Sequence, residues 1–331
     1  MKKIIAIVAG GDSSEHDVSL RSAQGIYSFI DKDVYDCYII ELSGLRWEAV
    51  LPDGTRTAVD RNDFSFLCGG TKIKPDYAYI TIHGTPGENG ILQGYFDLIR
   101  LPYSTSGVLI EALTFNKFAL NNFLRSFGVT VAESILIRKG QEQAVSDADI
   151  IDKVGLPCFV KPADDGSSFG VTKVKKIEEL RPALKVAFAE DNDVMVESFI
   201  DGTEITCGCY KTKKGSYVFP ITEVVTTQEF FDYDAKYNGK VDEITPARID
   251  PSTADRVSKL TSAIYDILGC RGIIRVDYIL TGSKGKETIN MLEVNTTPGM
   301  TATSFIPQQI RAAGRDPGDV IAEIIEDSFN A

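Results

Sequence analysis

The pattern that most restricts this chain lies near its end, where IIRVDYIL (residues 273–280) and NMLEVNTTPG (290–299) flank the turn-rich TGSKGKE. Side chains alternate faces along a strand, so Arg275 and Asp277 share one face, and Glu293 and Asn295 share one face of theirs. The opposite faces are apolar: Ile274, Val276 and Tyr278 on the first strand, Leu292 and Val294 on the second. So short a connection makes the strands antiparallel neighbours, bringing an Asp, a Glu and an Asn within about 5–7 Å of one another. Two carboxylates side by side in a buried site are costly unless a cation neutralises them. Oxygen donors without His or Cys select Mg²⁺ or a similar hard cation. A hairpin with a solvated outer face would carry the same residues. The turn Thr296-Thr297-Pro298-Gly299, suited to close backbone approach, favours the metal reading.

The rest of the chain, 331 residues in all, is long enough for two or three compact units around that hairpin. The opening IIAIVAGGDSSEHDVSL reads as a buried strand, a Gly-Gly turn and a helix from near Val18, a doubly wound βα start. Strand-like segments at 35–40 and 77–83, alternating with helical stretches such as 92–99, predict a parallel sheet. Residues 107–127 carry a helical pattern ended by Gly128. From Val131 strands and hairpin turns take over: ESILIRK, LPCFVKP, GVTKVKK, DVMVESFI, TEITCGCYK and SYVFPITEVV. Helices at 177–189 and 253–268 interrupt them, and helices near 305–313 and 317–328 close the chain. The fold class is therefore α/β and α+β. A Rossmann-like N-terminal domain spans 1–104, and two α+β lobes span 105–199 and 200–331.

Composition narrows the partners. A net charge of −12 with no basic patch argues against nucleic acid, so any phosphate must be held locally by amides, a few lysines and a metal. The longest apolar runs, such as 4–9, fall far short of the roughly 20 residues a bilayer needs. The first run stops at Gly10-Gly11-Asp12 without a cleavage site, so a cytoplasmic protein with no membrane contact is expected. Six scattered cysteines without a Cys-x-x-Cys pair, and only two histidines, supply a zinc site poorly. Cys207 and Cys209 read as buried thiols on one strand.

Other segments carry chemistry less specifically. Lys161 ends the strand FVKP before the Gly/Ser-rich ADDGSSFGV, whose amides could cover phosphates at Ser167 and Ser168; an ordinary hairpin turn fits equally well. Lys117 could be a second phosphate lysine or simply a solvated one. Glu197 on a strand, followed by Glu204, suits an adenine amine and a ribose hydroxyl, although surface glutamates are common. The aromatic and acidic FFDYDAKYNG (230–239) could fold over a site as a lid. Glu15, after the first strand, could receive an ammonium group; His83 ends another strand on the same edge, where a structural His is the plainer alternative.

Together these segments resemble the D-alanine–D-alanine ligase family of ATP-grasp enzymes. The likeness runs nearly end to end through GGDSSEHDVSL, IHGTPGENGILQG, LPYSTSGV, VKPADDGSSFGV, FDYDAKY, RVDYIL and LEVNTTPGMTATS, in the family's order. It implies a two-lobed ATP-grasp fold over 105–331 and the joining of two D-alanines with ATP through an acyl phosphate. It implies two Mg²⁺, with Mn²⁺ as a substitute, on Asp277, Glu293 and Asn295. Lys117, Lys161 and Lys236 would meet phosphates beneath the Ser167–Ser168 loop, Glu197 the adenine and Glu204 the ribose. Glu15, with His83 nearby, would bind the first D-alanine. Ser304 and the backbone at Phe305 would bind the second. Arg275 and the N–H of Gly299 would stabilise the oxyanion. Tyr237, Ser167 and Glu15 would link the closed lid, and relatives are homodimers through the N-terminal domain. Departures are few: Ser198 where Lys is common, and Phe305 where an aliphatic residue is expected. Tyr237, where D-lactate-using relatives carry another residue, favours an amine nucleophile. Rival readings are a depsipeptide ligase, an ATP-grasp ligase for another small carboxylate and a noncatalytic binding protein. The last predicts damaged metal ligands, which this sequence does not have.

Overall fold

The opening apolar run forms strand β1 (Lys3–Gly10), whose side chains from Ile5 to Ala9 are wholly buried in the computed structural model. The structure describes residues 2–164, 169–226 and 241–329. Helix α1 (His16–Phe29) follows, then β2 (Tyr35–Ser43), parallel to β1. Strands β3 (Arg46–Val50), β4 (Arg56–Asp60), β5 (Ser65–Cys68) and β6 (Thr71–Ile73) extend the sheet antiparallel. Strand β7 (Tyr77–Ile80) returns parallel to β1 on its other side, giving the order β6-β5-β4-β3-β2-β1-β7. The sheet is thus mixed, and the predicted parallel pairing holds only for β2-β1-β7. The connections between β2 and β6 are a few residues each, too short for the crossover that parallel strands require.

Helices α2 (Ile91–Ile99), α3 (Val108–Phe115) and α4 (Lys117–Arg125) lead out of this sheet. The continuous helical pattern predicted over 107–127 breaks at Asn116. Its extended backbone ends α3, and its Oδ1 accepts from the Ala119 amide to cap α4.

The second sheet holds β8 (Ser134–Arg138), β9 (Cys158–Pro162), β10 (Thr172–Val174) and β11 (Asp193–Ser198) in the antiparallel order β10-β9-β11-β8. Helices α5 (Asp147–Val154) and α6 (Leu180–Glu190) pack on it. The third contains β12 (Thr203–Thr212), β13 (Gly215–Val218), β14 (Thr222–Thr226), β15 (Val241–Ile244), then, after α7 (Pro251–Leu268), β16 (Ile273–Thr281) and β17 (Thr288–Asn295). Its order among the described residues is β15-β14-β12-β16-β17, with β13 on β12. SYVFPITEVV, read as one strand, divides around Pro220, which has no N–H to give a ladder. Helices α8 (Phe305–Ala312) and α9 (Pro317–Phe329) finish the chain.

Cys207 and Cys209 lie in the core between the third sheet and α7, and burial pushes both thiols up to about 12. Among the described residues no helix is long and apolar enough to cross a membrane.

Candidate active site

Strands β16 and β17 pair so that Arg275 lies opposite Asn295 and Asp277 opposite Glu293. All four point into one cleft of about 1020 Å³. Arg275 donates from Nε and Nη2 to Asp277 Oδ1 and Oδ2 at 2.9 and 2.8 Å, a forked ion pair with both side chains largely buried. The Asn295 amide donates to Asp277 Oδ2 at 3.1 Å and to Glu293 Oε1 at 3.4 Å. Behind this polar face Ile274, Val276, Tyr278 and Val294 fill the core, as alternation predicts.

Leu292 departs from that alternation. The register shifts between Asp277 and Tyr278, so Tyr278 pairs with Met291 and Leu292 becomes an extra residue. Met291 therefore takes the core position, and Leu292 joins the cleft wall beside Glu293. A bulge of this kind re-aims side chains locally, which strict alternation cannot anticipate.

The turn after β17 closes one end of the cleft. Ser304, at the N-terminus of α8, accepts from the Thr301 amide at 3.1 Å and shares a 2.7 Å hydrogen bond with the Thr301 hydroxyl. Gly299 lies so near that a Cβ there would sit 3.0 Å from Ser304 Oγ, so glycine keeps this amide approachable. The Met300 amide donates to Ser22 Oγ on α1, and Ser22 in turn lies 3.4 Å from His83 Nε2. Glu15 precedes α1, so α1 joins the ends of β1 and β7 to this turn. Burial holds the His83 imidazole below its ordinary value, which favours the neutral ring.

At the other end the Lys117 amide donates to Ala163 O at 2.9 Å, docking the start of α4 on the segment that follows Lys161. Lys161 forms a buried ion pair with Glu197 across β9 and β11. Glu204, near the start of β12, lines the same wall, as do Phe159 and Phe199.

Comparison with known proteins agrees along the whole chain. The family models described as D-ala D-ala ligase N-terminus and C-terminus match residues 4–106 and 123–326. The chain belongs to the D-alanine–D-alanine ligase family. A D-alanine–D-alanine ligase of Bacteroides fragilis (strain YCH46) is 66% identical over 329 residues, covering 99% of this chain and 100% of the relative. One from Porphyromonas gingivalis (strain ATCC BAA-308 / W83) is 50% identical, covering 99% and 98%. Among solved structures, the VanG D-Ala:D-Ser ligase from Enterococcus faecalis superposes with a TM-score of 0.86 at 30% identity, covering 99% of this chain and 100% of that one. A D-alanine–D-alanine ligase from Bacillus anthracis complexed with ATP gives 0.77 at 27% identity, covering 99% and 98%.

In this family member the described site residues predicted from sequence all line the one cleft: Glu15, His83, Lys117, Lys161, Glu197, Glu204, Arg275, Asp277, Glu293, Asn295, Gly299, Ser304 and Phe305. Ser167, Ser168, Lys236 and Tyr237 lie outside the described residues. Sequence reasoning missed Glu88 and Glu243, which also line the cleft. Burial, with Glu15 adding to the push, raises the Glu88 carboxyl to about 8; it accepts from the Gly84 amide at 2.6 Å. Its only sequence signal was its place in IHGTPGENG, in the loop that also holds His83, since β7 ends at Ile80 rather than running on to 83 as expected.

Proposed function

We propose that this chain joins two D-alanines into D-alanyl-D-alanine for peptidoglycan precursors, consuming ATP and releasing ADP and phosphate through a D-alanyl phosphate. One observation carries the reading: the Arg275–Asp277–Glu293–Asn295 cluster shares a cleft with Glu15 and His83 at one end and with Lys117 and Lys161 at the other. Carboxylate activation needs those parts together, because the phosphoryl group must meet a substrate carboxylate in one place. We assign 1–104 to a Rossmann-like domain and 105–199 and 200–331 to the two ATP-grasp lobes.

Two carboxylates and an amide form an oxygen-only donor set that fits hard cations, and the Asn295 amide already bridges both carboxylates. Asp277, Glu293 and Asn295 would hold two Mg²⁺, with Mn²⁺ as a substitute. The ions would supply charge neutralisation for the transferring phosphoryl group.

Glu15 binds the ammonium of the first D-alanine beside a neutral His83, aiming its carboxylate at the γ-phosphate. Lys117 and Lys161 hold ATP phosphates, Glu197 the adenine and Glu204 the ribose. Pairing with Glu197 fixes where the Lys161 charge sits. Ser304 and the backbone at Phe305 receive the carboxylate of the second D-alanine, whose amine attacks the acyl phosphate carbonyl. Arg275, held by Asp277, and the Gly299 amide face the developing oxyanion; phosphate then leaves. Lys236, Tyr237, Ser167 and Ser168 complete the closed site in this reading.

The reaction is placed in the cytoplasm, where ATP is available and free thiols persist; all six cysteines are unpaired. A homodimer through the N-terminal domain suits the exposed apolar side chains of Ile91 and Leu98 on α2, with Val108 and Leu109 of α3 exposed just beyond that domain.

The test is ADP release with Mg²⁺–ATP and D-alanine alone, against D-alanine plus D-lactate or D-serine. Turnover with D-alanine alone is expected. Turnover only when the second acceptor is added would replace this reading with a depsipeptide or D-Ala:D-Ser ligase.

A further inference from the structure

Glu111 is wholly buried in α3, a setting that disfavours a carboxyl group unless something there uses it. Its Oε2 accepts a 2.6 Å hydrogen bond from the hydroxyl of Thr296. Thr114, one turn further along α3, lies 3.4 Å from the same hydroxyl. Thr296 directly follows Asn295 and opens the turn that reaches Gly299. Helix α3 in turn abuts α4, whose first residue is Lys117. One buried contact thus connects the helix pair carrying a phosphate lysine with the strand end carrying a metal ligand and the oxyanion amide. Glu111 does not line the cleft, so it acts without touching substrate.

We propose that Glu111 is a positioning residue for the ligation reaction: through the Thr296 hydroxyl it latches the turn 296–299 to α3 and fixes where the Gly299 amide stands, while Asn295 keeps its place through the pairing of β17 with β16. This inference rests on the ligase reading and assigns that site an added constraint. Burial holds the Glu111 carboxyl well above the ordinary carboxylate range, against the opposing pull of the Thr296 hydroxyl. The group therefore works as a hydrogen-bond partner in a dry interior rather than as a charge. Gln at this position keeps both the volume and a carbonyl acceptor for Thr296.

The turn bears on the second amino acid and on the oxyanion, so loosening it should act there and spare nucleotide binding. Misplacing a reacting group by a fraction of an ångström lowers turnover steeply, so Glu111→Ala should cut kcat roughly tenfold or more. It should also raise the KM for the second D-alanine several-fold while leaving the KM for ATP within about twofold. Glu111→Gln should restore both within about twofold of the unaltered enzyme. Thr296→Val should reproduce the Glu111→Ala defect, Thr296→Ser should not, and the double variant should be no worse than either single one.

Rates are taken per folded molecule, with the folded fraction read from melting curves. If Glu111→Ala does not fold, the Thr296→Val and Thr296→Ser pair decides alone. A Gln variant as damaged as Ala, a normal Thr296→Val enzyme, or losses that multiply in the double variant would each overturn the latch. The ligase reading fails separately, through absent turnover of D-alanine by the unaltered chain.

Discussion

Glu88 shows how strongly the cleft acts on a single carboxyl group. Burial first, and Glu15 second, raise it from an ordinary 4.5 to about 8, although the Gly84 amide favours its charged form. Between those values the folded chain keeps a proton that the unfolded chain has released. Stability therefore falls as pH rises from about 4.5 to about 8 and is level beyond. Glu88→Gln removes this proton uptake, so the difference in denaturant midpoint between about pH 5 and about pH 8 should shrink in the variant. An unchanged difference would show that Glu88 ionises freely in the fold. The same contrast explains what was readable at this scale. Arg275, Asp277, Glu293 and Asn295 sit on strands, where a period of two predicts a shared face. Glu88 sits in a Gly- and Pro-rich loop without a period, and its altered chemistry comes from neighbours brought by other elements. The forked pairing of Arg275 with Asp277 was likewise not written in spacing alone, since shared facing does not specify which group bonds which.

At the scale of elements, α1 does more than cover β1. Gly25 faces the site turn so closely that a Cβ would stand 2.3 Å from Met300 O, while Ser22 accepts from the Met300 amide. This helix is pressed onto the turn by the absence of one side chain. Gly25→Ala gains helix propensity but must push α1 and the turn apart. A net loss of about 1–3 kcal/mol is expected from the overpacking. Because Gly299 and Ser304 ride on that turn, the KM for the second D-alanine should rise more than the KM for ATP. Equal changes in both, or an undisturbed melting temperature, would show that the turn does not depend on α1. Element types were largely legible because the apolar periods are long in β1, α7 and β16. Departures came where a local event outweighed the period: the Asn116 cap dividing α3 from α4, and the extra Leu292 in β17. Helix α5 went unread because, of its eight residues, only Ile150 and Val154 are buried.

For the whole molecule, the end of the first sheet at β7 is not the end of its core. One face of β1 and β7 packs with Ala23, Ile26 and Ile30 against Met300, Ile306, Ile310, Val320, Ile321, Ile324 and Ile325 from the last part of the chain. Polar contacts follow the same seam: Tyr35 donates to Glu326 at 2.8 Å, Ser328 to Tyr77 at 3.3 Å, and Lys3 lies over the Phe329 ring. No sequence pattern announces such a partnership, because the two halves of the core are separated by some two hundred residues of other sheets. A central parallel strand needs cover on both faces. Helix α2 and the aromatic residues Phe64 and Phe66 supply one face locally. The other is covered in part by α1 and depends for the rest on α8 and α9. Residues 1–104 made alone should therefore leave an apolar face uncovered and bind a hydrophobic dye, without a cooperative thermal transition. Deleting residues 314–331 from the full chain should expose the same face and lower the melting temperature sharply, even though no cleft residue is removed. A fragment 1–104 that melts cooperatively near the temperature of the intact protein would show that the N-terminal sheet closes its own core, and that α9 is a cover rather than a structural part of it.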